Sequence, residues 1–388
     1  MYKHQFFTNL PSEIIIDILS RLPIKTIRAC KCVCKSWLEL LETHEFANSH
    51  LSKSVPGLVI HQSEMWSELI QIFEFEDEPD IEHHELHYNP VTEIDLNAFI
   101  NPSHRSIGIE GSANGLLFLR EINTQPNVFY ICNPITRECL ELQSQEKFVY
   151  SYPTIVTYGF GVSKITGQHK VVRIFHECVR HPDTHALLRI PKSECHVYTL
   201  GTGSWRKFSC NATFEYNCRS IGAFMNGNLH WLVSDLKGCH WISCFDLETE
   251  VFSKFSLPFQ KSGGFLAGLF VLGDCLCLCD NTSDDEIVIW LMKEYGDEKS
   301  WRKEYVISKV PDFAGESYEV VRPMKVFGDG DILMAWQDFH LFYYSSKAKT
   351  LAGINMFELR TPGRVDSMLH TSSFVSLKNF TMENVISF

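Results

Sequence analysis

Cysteines at alternate positions are the residues of this sequence whose type and spacing first suggest chemistry. They form two Cys-x-Cys-x-Cys triplets, Cys30, Cys32, Cys34 and Cys275, Cys277, Cys279. Zinc sites usually use Cys-x2-Cys pairs that converge on one ion, so this spacing does not favour a metal. Alternate residues of a strand share a face, and the second triplet therefore predicts a row of cysteines facing a core. We expect the 14 cysteines to be reduced and mostly buried.

Histidines form the other candidate metal ligands. Two groups occur, His83, His84, His87 and His181, His185. Both lie in polar loops, where a solvated histidine is the favoured interpretation. The sequence contains no G-x-S-x-G elbow, no G-x4-G-K-[ST] loop and no H-E-x-x-H motif. We therefore expect no catalytic, cofactor-binding or metal-binding residue, and no cofactor, although a hydrolase remains an alternative.

The charge of the chain is concentrated in one block. The net charge is −12, and residues 54–104 hold eleven acidic residues and no Lys or Arg. Nucleic-acid binding needs a basic surface, so a nucleic-acid partner is disfavoured. The block is interpreted as a solvated loop, with a surface that attracts a basic protein as the alternative.

No feature of the sequence directs the chain to a membrane. No apolar run approaches the ~18 residues of a membrane helix. Glu13 and Asp17 interrupt the N-terminal apolar run, which is unlike a signal peptide. We expect a cytoplasmic and/or nuclear protein without a membrane partner.

The elements that carry these residues repeat along most of the chain. After about residue 55, short apolar runs alternate with Gly, Asn, Asp and Pro, which indicates an all-β domain. The tetrapeptide Ser-Trp-Arg-Lys occurs at 204–207 and again at 300–303, two periods of 48 residues apart. Units of this length with four strands predict a β-propeller of about six blades. A lone strand in residues 371–380 is expected to close the ring. Two stacked β-sandwiches are the rival fold.

The N-terminal stretch has helical periodicity instead. Pro11 is tolerated in a first helical turn, and Pro23 is expected to end the first helix. We expect a turn over Lys25–Cys30 and then a second helix, so the two helices would form a helical hairpin. Two apolar stripes result, Ile14, Ile15, Ile18, Leu19, Leu22 and Val33, Cys34, Trp37, Leu38, Leu41. About forty residues are too few for an independent core, so the stripes need a partner, either the β domain or another protein.

The same stretch resembles an F-box. The matching residues are Leu10-Pro11, Ile14-Ile15, Ile18-Leu19, Leu22-Pro23, Lys25 and Val33-Cys34-Lys35-Ser36-Trp37. The rest resembles the F-box-associated, kelch-like domain of plant F-box proteins, through segments such as "NPITRECLEL" and "GNLHWLV". The resemblance implies an F-box over residues 6–52 and a propeller-like substrate-binding domain over residues 55–388.

This resemblance implies a role in protein ubiquitination. An F-box docks on a Skp-type adaptor and thereby joins cullin and RING subunits, while the β domain would hold an unidentified protein substrate. The chain would be a non-catalytic receptor of the ligase, with a scaffold or sequestering protein as the alternative. Twelve residues would bind the adaptor: Leu10, Pro11, Ile14, Ile15, Ile18, Leu19, Leu22, Pro23, Val33, Cys34, Trp37 and Leu41. No motif indicates the substrate-binding residues.

Overall fold

The architecture is taken from a computed structural model. It describes residues 10–64, 67–75, 90–98, 106–122, 128–142, 154–177, 179–180, 187–189, 193–210, 215–216, 221–235, 238–259, 267–309, 321–336, 340–354, 364–380 and 384–387. Within these ranges, the helices are all too short to cross a bilayer. The histidine groups at 83–87 and 181–185 lie outside the described residues, as does the acidic block between 76 and 89.

Short helices form the N-terminal part of the described chain. They are α1 (Ser12–Leu19), α2 (Ile24–Cys30), α3 (Lys35–Leu41) and α4 (His44–Leu51). The all-α character is confirmed, but there are four helices where the sequence analysis expected two. Helix α1 ends at Leu19, before Pro23, and Pro23 is the N-cap of α2, so the stretch Lys25–Cys30 that was expected to be a turn is helical. Thr43 caps α4, because its hydroxyl oxygen accepts a hydrogen bond from the Phe46 N–H at 3.1 Å.

Six antiparallel sheets follow, and they are the blades of a β-propeller. Blade 1 contains β1 (Gly57–Glu64), β2 (Ser67–Phe73) and β3 (Thr92–Asp95). Blade 2 contains β4 (Ser106–Ala113), β5 (Leu116–Ile122), β6 (Phe129–Asn133) and β7 (Glu138–Leu142). Blade 3 contains β8 (Thr154–Val162), β9 (His169–Glu177), β12 (Ser193–Thr199) and β13 (Trp205–Cys210). Between β9 and β12 the chain forms a separate two-stranded hairpin of β10 (Val179–Arg180) and β11 (Leu187–Arg189).

The later blades repeat the same meander. Blade 4 contains β14 (Glu215–Tyr216), β15 (Ala223–Met225), β16 (Asn228–Ser234), β17 (His240–Asp246) and β18 (Phe252–Phe255). Blade 5 contains β19 (Ala267–Leu272), β20 (Cys275–Asp280), β21 (Glu286–Met292) and β22 (Trp301–Ser308). Blade 6 contains β23 (Val321–Val326), β24 (Ile332–Trp336), β25 (His340–Ser345) and β26 (Thr350–Ile354). The predicted count of about six blades is confirmed.

The strand that completes blade 1 comes from the C-terminal part of the chain. It is β27 (Arg364–His370), which pairs with β1 in the order β27-β1-β2-β3. The sequence analysis assigned closure to residues 371–380, and that assignment is wrong by several residues. Residues 371–376 are irregular and lead into a 3-10 turn at Leu377–Asn379. The segment contains the apolar residues Phe374, Val375 and Leu377, which are buried in the structure. Apolar residues of this kind also occur in a buried strand, and this explains the wrong assignment. A final strand, β28 (Val385–Ser387), pairs with β7 of blade 2.

The described chain divides into two compact units. The first holds the helices, blade 2, most of blade 1 and the chain from Ser367 onward. The second holds blades 3 to 6. The change from helix to strand falls between Leu51 and Gly57, close to the predicted boundary between residues 52 and 55. The domain limits themselves stay a prediction.

The repeated sequence segments correspond to one hairpin that recurs between the outer strands of a blade. In blades 2, 4 and 6 the loop ends on a residue with left-handed backbone, Arg137 (φ 56°), Glu250 (φ 58°) and Lys349 (φ 58°). The first turn residue is Asn133 in blade 2 and Asp246 in blade 4. The Oδ1 atom of each accepts hydrogen bonds from the two backbone N–H groups that lie two and three residues later.

The cysteines of the β-strands occur both as buried free thiols and as a disulfide. In β20, Cys277 and Cys279 are fully buried and Cys275 is half-buried, which confirms the predicted core-facing row. Cys132 and Cys139 lie opposite each other in the β6–β7 pair and form a disulfide. The sequence analysis expected reduced thiols because no export signal was found, and for this pair that expectation differs from the structure, in which one hairpin places the two cysteines opposite each other.

Removal of β27 is expected to unfold the first blade. A chain truncated after Gly363 loses the strand that pairs with β1, so the edge of β1 is exposed to solvent. We expect it to be poorly soluble or to lose the cooperative unfolding of the full chain, measured by circular dichroism during heating. Truncation after Asn384 removes β28 alone and serves as the control. Cooperative melting of the Gly363 truncation at the full-length temperature would show that β27 is not required.

The buried histidines predict acid sensitivity. Burial lowers the pKa of five of them from 6.5 to about 4: His50, His169, His196, His230 and His370. The unfolded chain therefore binds more protons between these pH values, and stability present above pH 6.5 is lost as the pH falls towards 4. For the fully buried His370 the loss is about 3 kcal/mol. We expect His370→Asn to reduce the pH dependence of the melting temperature, and the exposed control His44→Asn to leave it unchanged; equal slopes would contradict this.

Candidate functional site on the N-terminal helices

One face of the helices is buried within the first unit. Seven helical side chains form an apolar cluster with four residues from elsewhere in the chain. The helical members are Ile16, Leu19, Ile24, Ile27, Leu41, Phe46 and Ala47, and the others are Val91, Ile135, Phe374 and Val375. Ile27 and Phe46 are completely buried. This inner face already has its partner, so it is not free for a second protein.

The opposite face is apolar but exposed. Ile14, Ile18 and Val33 expose 48%, 41% and 63% of their surface, values that are unusual for large aliphatic side chains. Three further predicted residues are also exposed, Pro11, Pro23 and Cys34. We call these six residues the outer face.

The geometry of α1 explains how one helix serves both faces. Residues four apart lie on the same side of a helix, so Ile14 and Ile18 project together. Ile16 and Leu19 lie on the other side and are 4% and 3% exposed. Val33 is exposed for a different reason, since it lies in the turn between α2 and α3 and not on a helix.

The twelve residues predicted to bind an adaptor therefore fall into three groups. Six form the outer face. Leu10, Ile15, Leu22 and Trp37 are half-buried, and all but Leu10 pack against the inner cluster. Leu19 and Leu41 are buried, 3% and 1% exposed, and support the helices from inside. The structure thus does not bring the predicted set together as a single surface.

Polar contacts hold α1 against the end of α4. The Lys53 ammonium donates to Asp17 Oδ1 at 2.8 Å and to Ser20 Oγ at 2.6 Å. Arg21 also donates to Asp17, at 3.0 Å. Hydrogen bonds from Lys53 and Arg21 lower the pKa of the Asp17 carboxyl. These exposed pairs orient the helices more than they stabilise them.

The groups of the outer face are mostly apolar and suited to binding another apolar surface. The groups on the outer face are aliphatic side chains, two prolines and the Cys34 thiol. A hydrogen bond with the Ser36 hydroxyl lowers the pKa of the Cys34 thiol. In the described part of the chain, no three His, Cys, Asp or Glu side chains are placed to share a metal ion.

Sequence reasoning missed the residues that complete the inner face. Ile24 and Ile27 are spaced like one side of a helix, and this signal could have identified α2. Val91, Ile135 and Phe374 are separated from the helices by tens to hundreds of residues. Nothing in their local sequence indicates contact with the helices.

Comparison with protein families gives two matches that cover most of the chain. The family described as the F-box domain matches residues 7–48. The family described as the F-box associated beta propeller domain matches residues 73–376.

Individual relatives agree with these families. The Arabidopsis thaliana F-box protein At3g07870 is 28% identical over 87% of this chain and 85% of its own length. The Arabidopsis thaliana F-box protein At5g49610 is 30% identical over 74% of this chain and 76% of its own length. Among solved structures, the six-bladed β-propeller lectin of Aleuria aurantia aligns over 79% of this chain and 97% of its own, with 11% identity and a TM-score of 0.41. From its two family matches, the chain belongs to the F-box proteins that carry an F-box associated beta-propeller domain.

Proposed function

We propose that this protein is the substrate-recognition subunit of a Skp–cullin–F-box type ubiquitin ligase. In this role the F-box binds a Skp-type adaptor, the adaptor links to cullin and RING subunits, and the propeller binds a protein substrate. The observation that carries the proposal is the exposed outer face, an apolar surface within the matched F-box that nothing in the described chain covers. The working compartment would be the cytoplasm, the nucleus or both.

The adaptor would gain most of its affinity from the outer face. Ile14 and Ile18 project from α1, and Val33 is exposed in the turn before α3. Burial of one such aliphatic side chain is worth about 1.5–3 kcal/mol. The half-buried Leu10, Ile15, Leu22 and Trp37 would border the contact, while Leu19 and Leu41 would act only through the shape of the helices.

Catalysis in this account occurs on other subunits. The chain would hold a substrate close to the ubiquitin-conjugating enzyme and thereby raise the effective concentration of a target lysine. The substrate-binding residues are unassigned. The alternative functions are a scaffold that sequesters its partner and a propeller hydrolase. Turnover of a bound partner that depends on the outer face distinguishes the ligase subunit from the scaffold.

The direct test places charge on the outer face. We expect the double variant Ile14→Asp with Ile18→Asp to weaken binding of a recombinant Skp-type adaptor by well over tenfold, more than about 1.4 kcal/mol. Both side chains are already exposed in the free chain, so the variant should fold and melt like the wild type.

The control is Ile165→Asp, since Ile165 is 83% exposed and lies in the second unit. It should bind the adaptor with wild-type affinity, measured by isothermal titration calorimetry. Unchanged affinity of the double variant, or no binding by the wild-type chain, would contradict the proposed function.

A further inference from the structure

The segment that follows β27 is anchored to blade 2 by buried polar contacts. Asn133 is fully buried, and its Nδ2 group donates hydrogen bonds to Ser373 O at 3.1 Å and Val375 O at 2.7 Å. The Ser373 hydroxyl donates to Asn114 O at 3.0 Å. Gly115 allows this approach, because a Cβ atom there would lie 1.8 Å from Ser373 Oγ. We call residues 371–380 the C-terminal brace.

A second anchor holds the other half of the C-terminal brace. Glu138 of β7 is 6% exposed, and its carboxylate accepts hydrogen bonds from the Ser376 hydroxyl at 2.9 Å and the Leu377 N–H at 2.6 Å. Lys378 lies 3.6 Å from the same carboxylate. Since Asn133 and Glu138 border the β6–β7 turn, one hairpin fixes the brace at both of its halves.

Between these anchors, Phe374 is directed into the helices. Its ring centroid lies 5.6 Å from that of Phe46 and 5.0 Å from that of His50, with an edge-on arrangement to His50. The Lys31 ammonium, just after α2, lies over the Phe374 ring, 5.8 Å from its centroid. Phe374 is 5% exposed and therefore links the end of α2 to α4.

Hydrogen bonds connect α4 to α1, the helix that carries part of the outer face. Ser49 of α4 donates to Ser20 at the end of α1, and Lys53 after α4 bonds to both Asp17 and Ser20. Helix α1 carries two of the exposed isoleucines of the outer face. A displacement of α4 would consequently move the surface that the adaptor contacts, although Phe374 is itself buried away from that surface.

We propose that Phe374 is a positioning residue for adaptor binding, held in place by the C-terminal brace. The inference rests on the proposed function and deepens it. Because the brace begins directly after β27, the helices receive their support from the segment that completes blade 1. A chain whose last strand has not paired would present its F-box poorly, so adaptor binding would be coupled to closure of the propeller.

The coupling has a kinetic signature. When only a fraction of the molecules hold the helices in the competent arrangement, the apparent dissociation constant rises by the inverse of that fraction. The loss then falls on the association rate, because the complex, once formed, keeps all its contacts. Removal of a direct contact instead acts mostly on the dissociation rate.

The test measures both rates on an immobilised Skp-type adaptor with full-length chains. Phe374→Ala removes the buried ring, and Phe374→Leu restores part of its volume. Asn133→Asp keeps the turn acceptor, which Asp246 supplies in blade 4, but it replaces the donor to the brace with an oxygen that faces the Ser373 and Val375 carbonyls. The controls are Asp246→Asn and Phe342→Ala, a loss of an equally buried ring in the second unit.

We expect Phe374→Ala and Asn133→Asp to slow association about tenfold while the dissociation rate stays within about twofold. Phe374→Leu should be intermediate, and both controls should match the wild type. If Phe374→Ala fails to fold, Asn133→Asp and Phe374→Leu decide the question. Wild-type rates for these variants, or a change confined to dissociation, would overturn the inference while leaving the proposed function intact. Failure of the wild-type chain to bind the adaptor would instead remove the proposed function.

Discussion

Four helices of seven or eight residues each cannot bury their own apolar side chains, and this constraint shapes the N-terminal part of the molecule. A helix of two turns has one apolar side that a neighbour of equal length only partly covers. Here Val91, Ile135, Phe374 and Val375 supply the missing surface. The F-box is thereby completed by residues of the β domain, and the remaining apolar side chains of α1, Ile14 and Ile18, stay exposed.

Buried polar groups give this packing one particular arrangement. Apolar contacts alone tolerate sliding, whereas Asn133 and Glu138 form hydrogen bonds with directions that only one position of the C-terminal brace satisfies. Both side chains are less than 7% exposed, so breaking these bonds would leave polar atoms without water. The brace is therefore specified by hydrogen bonds and then stabilised by the burial of Phe374.

The sequence predicted the repeating elements well, because strand alternation and turn residues are local signals. The hairpins at Asn133 and Asp246 each show a polar turn residue between two apolar runs. The buried row of Cys277 and Cys279 follows from the alternation of side chains between the two faces of a strand. The sequence did not predict which apolar residues of the helices are buried and which are exposed. The sequence analysis treated Ile14 and Leu19 as one stripe, but contacts from residues far along the chain divide them between two faces. The sequence analysis likewise predicted a strand over residues 371–380 from the apolar residues there, although Phe374 and Val375 pack against the helices, which are far away in the sequence.

The central claim is that the two sides of one helix have different partners, with the propeller on one side and an adaptor on the other. The most direct measurement introduces a photoreactive benzophenone side chain at Ile18, and separately at Ile165, in the complex with a recombinant Skp-type adaptor. The account predicts an adaptor crosslink from position 18 and none from position 165. A crosslink from position 165, with none from position 18, would contradict it.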